Sequence, residues 1–531
     1  MQDQPTIIGT DRLVDGTGAP ERPGELLVEG GRIVEMGTNL RAKDAEHVDA
    51  TGLVVAPGFI DAHGHSDFTS LAFPDAAGRV HAGVSTEVIG NCGSSAFPLA
   101  GEVLRRRRDE YATYGLKVDW TDVQGYAARC RANPAAINRV PLVGHGNVRG
   151  SVVGYDDRKP TAAEMDRMID LLRAAMQAGV AGMSTGLIYP PGFCSDTDEL
   201  CRLAEVVARY GGVHTSHMRS ESDAIVEAVE EHLVIARHAK LTSVISHLKL
   251  IYPRNYDKAD WLVRTLVDAR KEGLDLYADA YPYVASCTGL DQVLPQWALK
   301  EPDLLAALAD PDKRARMKAD LEAAEPDVED YCNGVLMCAL GTDEYKRYSG
   351  RRLMEVAREV GRHPFDLLFD ILLAERCRPS ACYFRMSPEV LRRVLALPFV
   401  MLGSDSSWRS LEHGKDVGYV HPRSFGTPAV FLGQLVRDEK LVDLPEAIRR
   451  MTGLPATVFG LHDRGVLAEG RAADVVVFDP DTLVARSTWE QPCAYSTGVR
   501  HLLVNGRFVL HGGGLTDARP GRLLLRRAND G

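Results

Sequence analysis

Eight strand-like apolar runs, most of them followed by a helix-like stretch, constrain the fold of this chain more than any other feature. The runs end near these positions: His65, Cys92, His145, Tyr189, His217, His247, Tyr283 and Asp405. A strand followed by a helix, repeated eight times, is typical of a parallel sheet that closes on itself. We therefore predict an α/β fold built on a (β/α)8 barrel, the TIM barrel.

Helical signals fill the stretches between these runs. Residues 161–179 begin with Thr161 and Glu164, whose spacing predicts a capping box, and then repeat apolar side chains on one helical face. Residues 220–240 and 257–273 show the same periodicity. Helices of this kind are what connects neighbouring parallel strands.

Both ends of the chain are rich in strand signals. The stretches GELLVEGGRIVEMG and VRHLLVNGRFVLHGG each predict a hairpin with a tight turn. We expect residues 1–56 and 461–531 to form one small β-domain beside a barrel at 57–460. The gap between the seventh and eighth strands, at about 290–395, is too long for one crossover, so an inserted subdomain is expected at about 290–345.

Composition argues against several classes of partner. The chain has 531 residues, of which 45% are hydrophobic and 25% charged, and its formal net charge of −11 does not suit nucleic acid or an anionic membrane. No run approaches the about 20 apolar residues of a membrane span, and no signal peptide is expected. The ten cysteines form no paired framework, which is typical of reduced thiols. We expect a cytoplasmic protein, and the sequence leaves its oligomeric state open, an oligomer included.

Side chains that ligate metals occupy the predicted strand ends, where barrels of this type carry their chemistry. These are His63 and His65 after the first strand, Cys92 after the second, His217 after the fifth, His247 after the sixth and Asp405 after the eighth. Alternate strand residues share a face, so His63 and His65 converge. Imidazole and thiolate ligands suit Zn²⁺, and thiolate disfavours Mg²⁺ and Ca²⁺. A lone histidine or cysteine in an apolar strand is more often a core residue, but together these residues predict a zinc site.

Several short motifs together resemble a known family. The strings PGFIDAHGHSD, GNCG, SHMRSE, ISHLK, YPY, GSD and HPRSFGT are similar to those of the D-aminoacylase branch of the amidohydrolase superfamily, the N-acyl-D-amino-acid deacylases. The resemblance runs almost from end to end of the chain. His-x-His alone marks the superfamily, whereas Asn-Cys-Gly and His-Pro-Arg are more specific to this branch.

The resemblance implies a division of the metal ligands. Cys92, His217 and His247 match the residues that hold the tightly bound zinc in the family. His63 and His65 match a second position that binds metal more weakly or is partly occupied.

The resemblance also implies the catalytic group and the substrate contacts. Asp405 matches the catalytic acid and base, and Arg423 matches an arginine that grips the substrate α-carboxylate together with a tyrosine. Strand alternation places both Tyr281 and Tyr283 on one face and does not separate them, although we favour Tyr281.

Three further residues have a functional and a structural interpretation. Lys249 shares a face with His247 and reaches either the substrate or a structural acid. His145 either orients a ligand or is a core histidine, and Tyr189 is expected to wall the pocket.

The leading interpretation is a zinc-dependent amide hydrolase that deacylates an N-acyl-D-amino acid or a related N-acyl compound. The chain departs from the family pattern in SHMRSE and in a longer loop after Asp405, where Trp408 and Arg409 are expected to reshape the pocket. The alternatives are a cyclic-amide hydrolase similar to hydantoinases or dihydroorotases, and a non-catalytic scaffold that kept the barrel.

Overall fold

Eight parallel strands form the central sheet, as predicted. A computed structural model describes residues 4–412 and 418–526. In chain order the barrel strands are β1 (Phe59–Asp61), β2 (Val84–Ile89), β3 (Asn138–Gly144), β4 (Gly182–Gly186), β5 (Val213–His217), β6 (Thr242–Ile245), β7 (Leu276–Ala280) and β8 (Val400–Leu402). Each strand hydrogen-bonds the next in sequence order. Nearly every residue of these strands is buried, as expected of a sheet covered on both faces.

The barrel closes just beyond the carboxyl ends of β1 and β8. Asp405 N donates to His63 O at 2.8 Å, and His65 N donates to Ser406 O at 3.0 Å. Ala62 N donates to Leu402 O at 3.1 Å, which continues the ladder towards the strands. Two segments about 340 residues apart in sequence are therefore held in register, and Asp405 comes to lie beside both histidines.

Helices surround the barrel. They span Thr69–Ala72, Ala77–Val80, Gly101–Ala112, Val123–Ala132, His145–Val152, Ala162–Gln177, Thr197–Arg209, Ile225–Ala239, Ala259–Lys271, Pro388–Leu395, Arg423–Ala429, Leu444–Met451 and Gly453–Val458, and a π-helical segment spans Val430–Asp438. The capping box at Thr161 and Glu164 is present, and the helix it begins buries Met165, Met168 and Leu172. None of the helices within the described ranges is both long and apolar enough to cross a membrane.

The chain segment that connects β7 to β8 forms a separate layer. Its antiparallel sheet consists of Ser286–Gly289, Ser380–Tyr383 and Val335–Cys338, with Ser380–Tyr383 in the middle. Its helices are Gln296–Leu299, Leu304–Ala309, Pro311–Ala324, Val328–Asn333, Leu353–Val360 and Pro364–Ala374. The layer has its own apolar core around Met317, Phe365 and Phe369. These elements extend past both limits of the expected insertion, about residues 290–345.

The two ends of the chain form one nine-stranded sheet. Its strands are Thr6–Leu13, Arg22–Glu29, Arg32–Gly37, Glu46–Asp49, Val54–Pro57, Val475–Phe478, Val499–Val504, Arg507–His511 and Gly514–Leu515. The N-terminal and C-terminal parts join where Val54–Pro57 pairs antiparallel with Val475–Phe478. The predicted hairpins turn at Gly30-Gly31 and at Asn505-Gly506.

Candidate active site

Ligand-type side chains converge at the carboxyl ends of the barrel strands. Cys92 Sγ lies 3.3 Å from His63 Nε2 and 3.4 Å from His247 Nε2. His247 Nε2 lies 2.9 Å from His217 Nδ1. These atoms come from four different strand ends, so closure of the barrel assembles them.

A second set of ligand atoms overlaps the first. His65 Nε2 lies 3.0 Å from Asp405 Oδ1, and His63 Nε2 lies 3.6 Å from the same oxygen. The ligand atoms of His63, His65, Cys92 and Asp405 lie within 4.8 Å of one another, and so do those of Cys92, His217 and His247. Cys92 belongs to both sets, which is an arrangement suited to two neighbouring metal positions.

The chemistry of these groups fits a metal ion that accepts nitrogen and sulfur ligands. Burial raises the pKa of the Cys92 thiol, but the charges of His63 and His247 outweigh burial and hold that pKa well below its usual range. A thiolate is therefore favoured, and the thiolate is the form that ligates metal. His217 Nε2 is buried and has no hydrogen-bond partner among the described residues.

Two acids orient the histidines. Asp279 Oδ2 lies 3.1 Å from His63 Nδ1, and Asp279 Oδ1 accepts from His247 N at 2.8 Å. Glu221 Oε1 lies 2.8 Å from His247 Nδ1. Such partners fix which ring nitrogen faces a metal. Neither acid is among the site residues predicted from the sequence. A buried acid within LYADA signals Asp279, because it requires a partner, whereas Glu221 follows its strand in a loop and carries no comparable signal.

The backbone is strained at three of the converging residues. Cys92, His247 and Asp405 have φ values of +52°, +38° and +50°, in the left-handed region. For a residue with a side chain this conformation costs about 1–2 kcal/mol, and residues held in it cluster at functional sites. Periodicity in the sequence gives no sign of this strain.

A buried arginine joins β1 to β2 beneath these side chains. Arg79 Nε donates to Glu87 Oε2 at 2.8 Å and lies 3.4 Å from Asp61 Oδ2. Trp408 Nε1 donates to the same Glu87 oxygen at 2.7 Å. Trp408 is fully buried in this network and does not line the cavity over the site, whereas Arg409 does.

The same arginine holds the backbone on both sides of Asp405. Arg79 Nη2 donates to Ser404 Oγ at 2.8 Å and to Ser406 O at 3.0 Å. Arg79 Nη1 donates to Ser424 O at 3.0 Å, in the helix that carries the predicted carboxylate-binding arginine. Arg79 therefore helps to fix the backbone segment that carries the predicted catalytic acid.

The glycine of the His-x-His motif is required by close packing. A Cβ atom on Gly64 would lie 2.1 Å from Glu87 Oε1. Glu87 is held by Arg79 and Trp408 and has no freedom to retreat. The residue between His63 and His65 must therefore lack a side chain.

Asp405 lies between the histidines and Arg423. Arg423 Nη1 is 2.9 Å from Asp405 Oδ2. Burial raises the pKa of Asp405, but Arg423 and the His65 hydrogen bond outweigh burial and hold that pKa well below its usual range. The carboxylate is therefore ionised at neutral pH.

The two candidate tyrosines occupy different surroundings. The Tyr281 ring lies under the Arg423 guanidinium at 4.6 Å and under Lys249 Nζ at 5.7 Å. The Tyr283 hydroxyl faces Gly426, where an added Cβ would lie 2.6 Å from it. Both tyrosines lie beyond β7, which ends at Ala280, so strand alternation does not apply to them, although both rings contact His421.

Two of the remaining candidates line the cavity. Lys249 Nζ donates to Glu221 Oε1 at 2.5 Å and to His247 O at 2.8 Å, so its structural pairing is present. The Tyr189 hydroxyl is 2.8 Å from Thr288 Oγ1 and so connects the barrel to the inserted sheet.

His145 lies away from the converging atoms. Its Nε2 is 2.8 Å from Glu199 Oε1, and Glu199 also pairs with Arg149. This burial and pairing fit the core interpretation of His145. Part of the long loop after Asp405, residues 413–417, lies outside the described residues.

A cavity of about 900 Å³ opens over the site. Among the candidate residues it is lined by His65, Cys92, Tyr189, His217, His247, Lys249, Asp405 and Arg423. The inserted layer supplies the facing wall through residues 286–289 and Tyr383. The converging groups are therefore accessible to a small molecule.

We expect Gly64→Ala to lower both the thermal unfolding midpoint and the metal content per chain. The added methyl overlaps Glu87 Oε1, and overpacking of this kind costs about 1–3 kcal/mol. Calorimetry and elemental analysis of the purified protein measure the two effects. Gly9→Ala is the matched control, because its Cβ would meet nothing closer than 3.4 Å. A Gly64→Ala protein equal to wild type in both quantities would contradict the close-packing argument.

The sequence and structure were compared with those of known proteins. The amidohydrolase family model matches residues 46–510. N-acyl-D-glutamate deacylase of Alcaligenes xylosoxydans xylosoxydans is 34% identical over 521 residues, which is 97% of this chain and 96% of that protein.

Two solved structures share the whole architecture. N-acyl-D-glutamate deacylase from Bordetella bronchiseptica, complexed with zinc and a phosphonate mimic of the tetrahedral intermediate, has a TM-score of 0.81 and 35% identity over 98% of this chain and 100% of that chain. A D-aminoacylase described as having a binuclear metal centre has a TM-score of 0.81 and 32% identity over 98% of this chain and 99% of that chain. The chain therefore belongs to the amidohydrolase family, in the D-aminoacylase branch of metal-dependent amide hydrolases.

Proposed function

We propose that this chain is a zinc hydrolase that converts an N-acyl-D-amino acid to a carboxylic acid and a free D-amino acid. The observation that carries the proposal is the position of Asp405, 3.0 Å from a ligand-type histidine and 2.9 Å from Arg423. A proton-transfer group thus lies between a candidate metal position and a group that suits a carboxylate. The names of the relatives support the same substrate class.

The residues divide between two metal positions. Cys92, His217 and His247 would hold the tightly bound zinc, and His63 and His65 would contribute to a weaker second position. When bound, zinc supplies Lewis acidity, which polarises a carbonyl and makes water a stronger acid. Cyclic-amide hydrolases usually bridge their metals with a carboxylated lysine. Here Cys92 is common to both ligand sets, which favours the linear amide.

Asp405 would act as the general base and then as the general acid. Its Oδ2 is next to Arg423, whereas its Oδ1 faces His63 and His65. The ionised carboxylate would therefore accept a proton on Oδ1 from the attacking water and deliver it to the amide nitrogen. Without that proton the nitrogen is a poor leaving group.

Arg423 and Tyr281 would position the substrate α-carboxylate. The Arg423 guanidinium is planar and suits two parallel hydrogen bonds to a carboxylate. Its Nε is buried without a hydrogen-bond partner among the described residues, as is the Tyr281 hydroxyl. Lys249 Nζ, 5.7 Å from the centroid of the Tyr281 ring, adds positive charge to this end of the cavity.

We expect zinc-loaded protein to hydrolyse N-acyl-D-amino acids and to leave the L-enantiomers largely intact. Paired libraries of D- and L-compounds, assayed for released amine, measure this preference. Hydantoins and dihydropyrimidines serve as the cyclic-amide controls. Equal turnover of the L-compounds, or turnover of the cyclic amides alone, would refute the proposed substrate class.

Asp405→Asn should lower kcat by about 10²–10⁴-fold, because the amide removes the general base and acid. Zinc content and KM should stay close to the wild-type values. Steady-state kinetics and elemental analysis on the same preparation separate the two effects. An asparagine variant with full activity would rule out this role for Asp405.

Cys92→Ala should abolish tight zinc binding, since the thiolate is shared by both ligand sets. Zinc per chain after dialysis against a mild chelator measures the loss. Cys130→Ala is the matched control, because Cys130 is also a buried free cysteine but lies on an outer helix. Equal zinc retention by the two variants would show that the ligand assignment is wrong.

Arg79→Lys should lower kcat by about 10²-fold while zinc stays bound. Lysine keeps the charge but loses the fork that holds Ser404 and Ser406, and a misplacement of about 1 Å has this effect on rate. Arg450→Lys, at a buried arginine that donates to Val400 O, is the control for general loss of a core guanidinium. A fall in stability without a selective fall in kcat would assign Arg79 a purely structural role.

A further inference from the structure

Three cysteines of the inserted layer lie on one face of its small sheet. Cys287 is directly opposite Cys382 on the central strand, and Leu336 is opposite Cys382 on the other side. Cys338 is two residues beyond Leu336, and alternate residues of a strand share a face. The three thiols therefore project from three strands to the same side of the sheet.

The three sulfur atoms are close together. They lie within 4.8 Å of one another, and the separation between Cys338 Sγ and Cys382 Sγ is 3.5 Å. Thiolates bound to one tetrahedral zinc, with Zn–S bonds of about 2.3 Å, are about 3.8 Å apart. The sheet thus holds the sulfurs near the spacing that a bound ion would impose.

We propose that Cys287, Cys338 and Cys382 form a further metal site, distinct from the barrel site, which binds a thiophilic cation such as Zn²⁺, Cd²⁺ or Cu⁺ through three thiolates. Soft sulfur ligands select these ions over Mg²⁺ and Ca²⁺. None of the three cysteines belongs to the ligand sets of the barrel site. The site does not depend on the proposed deacylase activity.

The surroundings give this site an entrance and a compensating charge. Cys338 and Cys382 are buried, whereas Cys287 is half-buried and lines the substrate cavity. An ion and its fourth ligand, a water, would enter past Cys287. Arg423 Nη2 donates to Cys287 O at 3.2 Å and places positive charge beside a site that carries one net negative charge when three thiolates hold a divalent ion.

Aromatic side chains close the remainder of the site. Phe384, Tyr419 and Trp489 pack against the cysteines together with Leu336. This shell excludes water from the buried sulfurs, and a low local dielectric strengthens the attraction between thiolates and a cation. A bound ion would also join all three strands of the sheet that forms the cavity wall.

The test is a Cd²⁺ titration of the zinc-loaded protein, followed by the ultraviolet thiolate-to-cadmium absorption band and by cadmium NMR. We expect wild type to bind one Cd²⁺ with a resonance typical of a sulfur-rich site, separate from any cadmium that exchanges into the barrel. The Cys287→Ser/Cys382→Ser double variant should lose this resonance and keep its barrel zinc. Cys332→Ser, at another buried cysteine of the inserted layer, should behave as wild type.

The single variant Cys287→Ser provides the test if the double variant misfolds. The Cys287 side chain reaches the cavity, so serine is readily accommodated there. This variant should weaken Cd²⁺ binding more than loss of a residue that only orients a metal ligand, which typically weakens metal affinity by about 10–100-fold. Unchanged Cd²⁺ uptake in the cysteine variants would overturn the proposal. So would the absence of a sulfur-rich resonance in wild type, or a mass that shows a disulfide between two of these cysteines in protein purified with reductant.

Discussion

The buried guanidinium of Arg79 is the interaction on which the active-site region depends. It pairs with Glu87 on β2 and also holds the residues on both sides of Asp405, which follow the last barrel strand. A buried charge is tolerated only when its partners are in place, and loss of one partner typically costs about 3–5 kcal/mol. The ion pair and its hydrogen bonds thus favour a single arrangement of the first and last barrel strands.

The contacts of Arg79 help to maintain the strained backbone conformations at the site. Cys92, His247 and Asp405 each adopt left-handed φ values, and all three line the cavity. Such conformations persist only where several contacts from the surrounding structure hold them in place. Asp279 contributes by accepting from His247 N, and Glu87 contributes by packing against Gly64. A metal that binds a site prepared in this way meets ligands that need little further ordering.

The sequence predicts the barrel well because a polar residue lies at, or shortly after, the carboxyl end of each apolar strand. The same rule brings His63, Cys92, His217, His247 and Asp405 together, since all carboxyl ends face one way. Strand alternation, by contrast, does not distinguish Tyr281 from Tyr283, because both lie beyond the last residue of β7. The sequence also gives no sign of contacts between distant parts of the chain, such as those of Arg79 with Ser404 and of Trp408 with Glu87, because partners far apart in sequence leave no local pattern.

Residues about 340 positions apart close the barrel, and this separation affects the order in which the chain folds during synthesis. During synthesis, β1 and β2 emerge long before β8, so the outer edge of β1 has no partner until residues 400–406 have been made. Contacts of such long sequence separation form late and slowly. An open strand edge invites pairing with other chains in the meantime. The nascent chain is therefore most vulnerable to aggregation before its last barrel strand appears, and the ligand set that includes Asp405 stays incomplete until then.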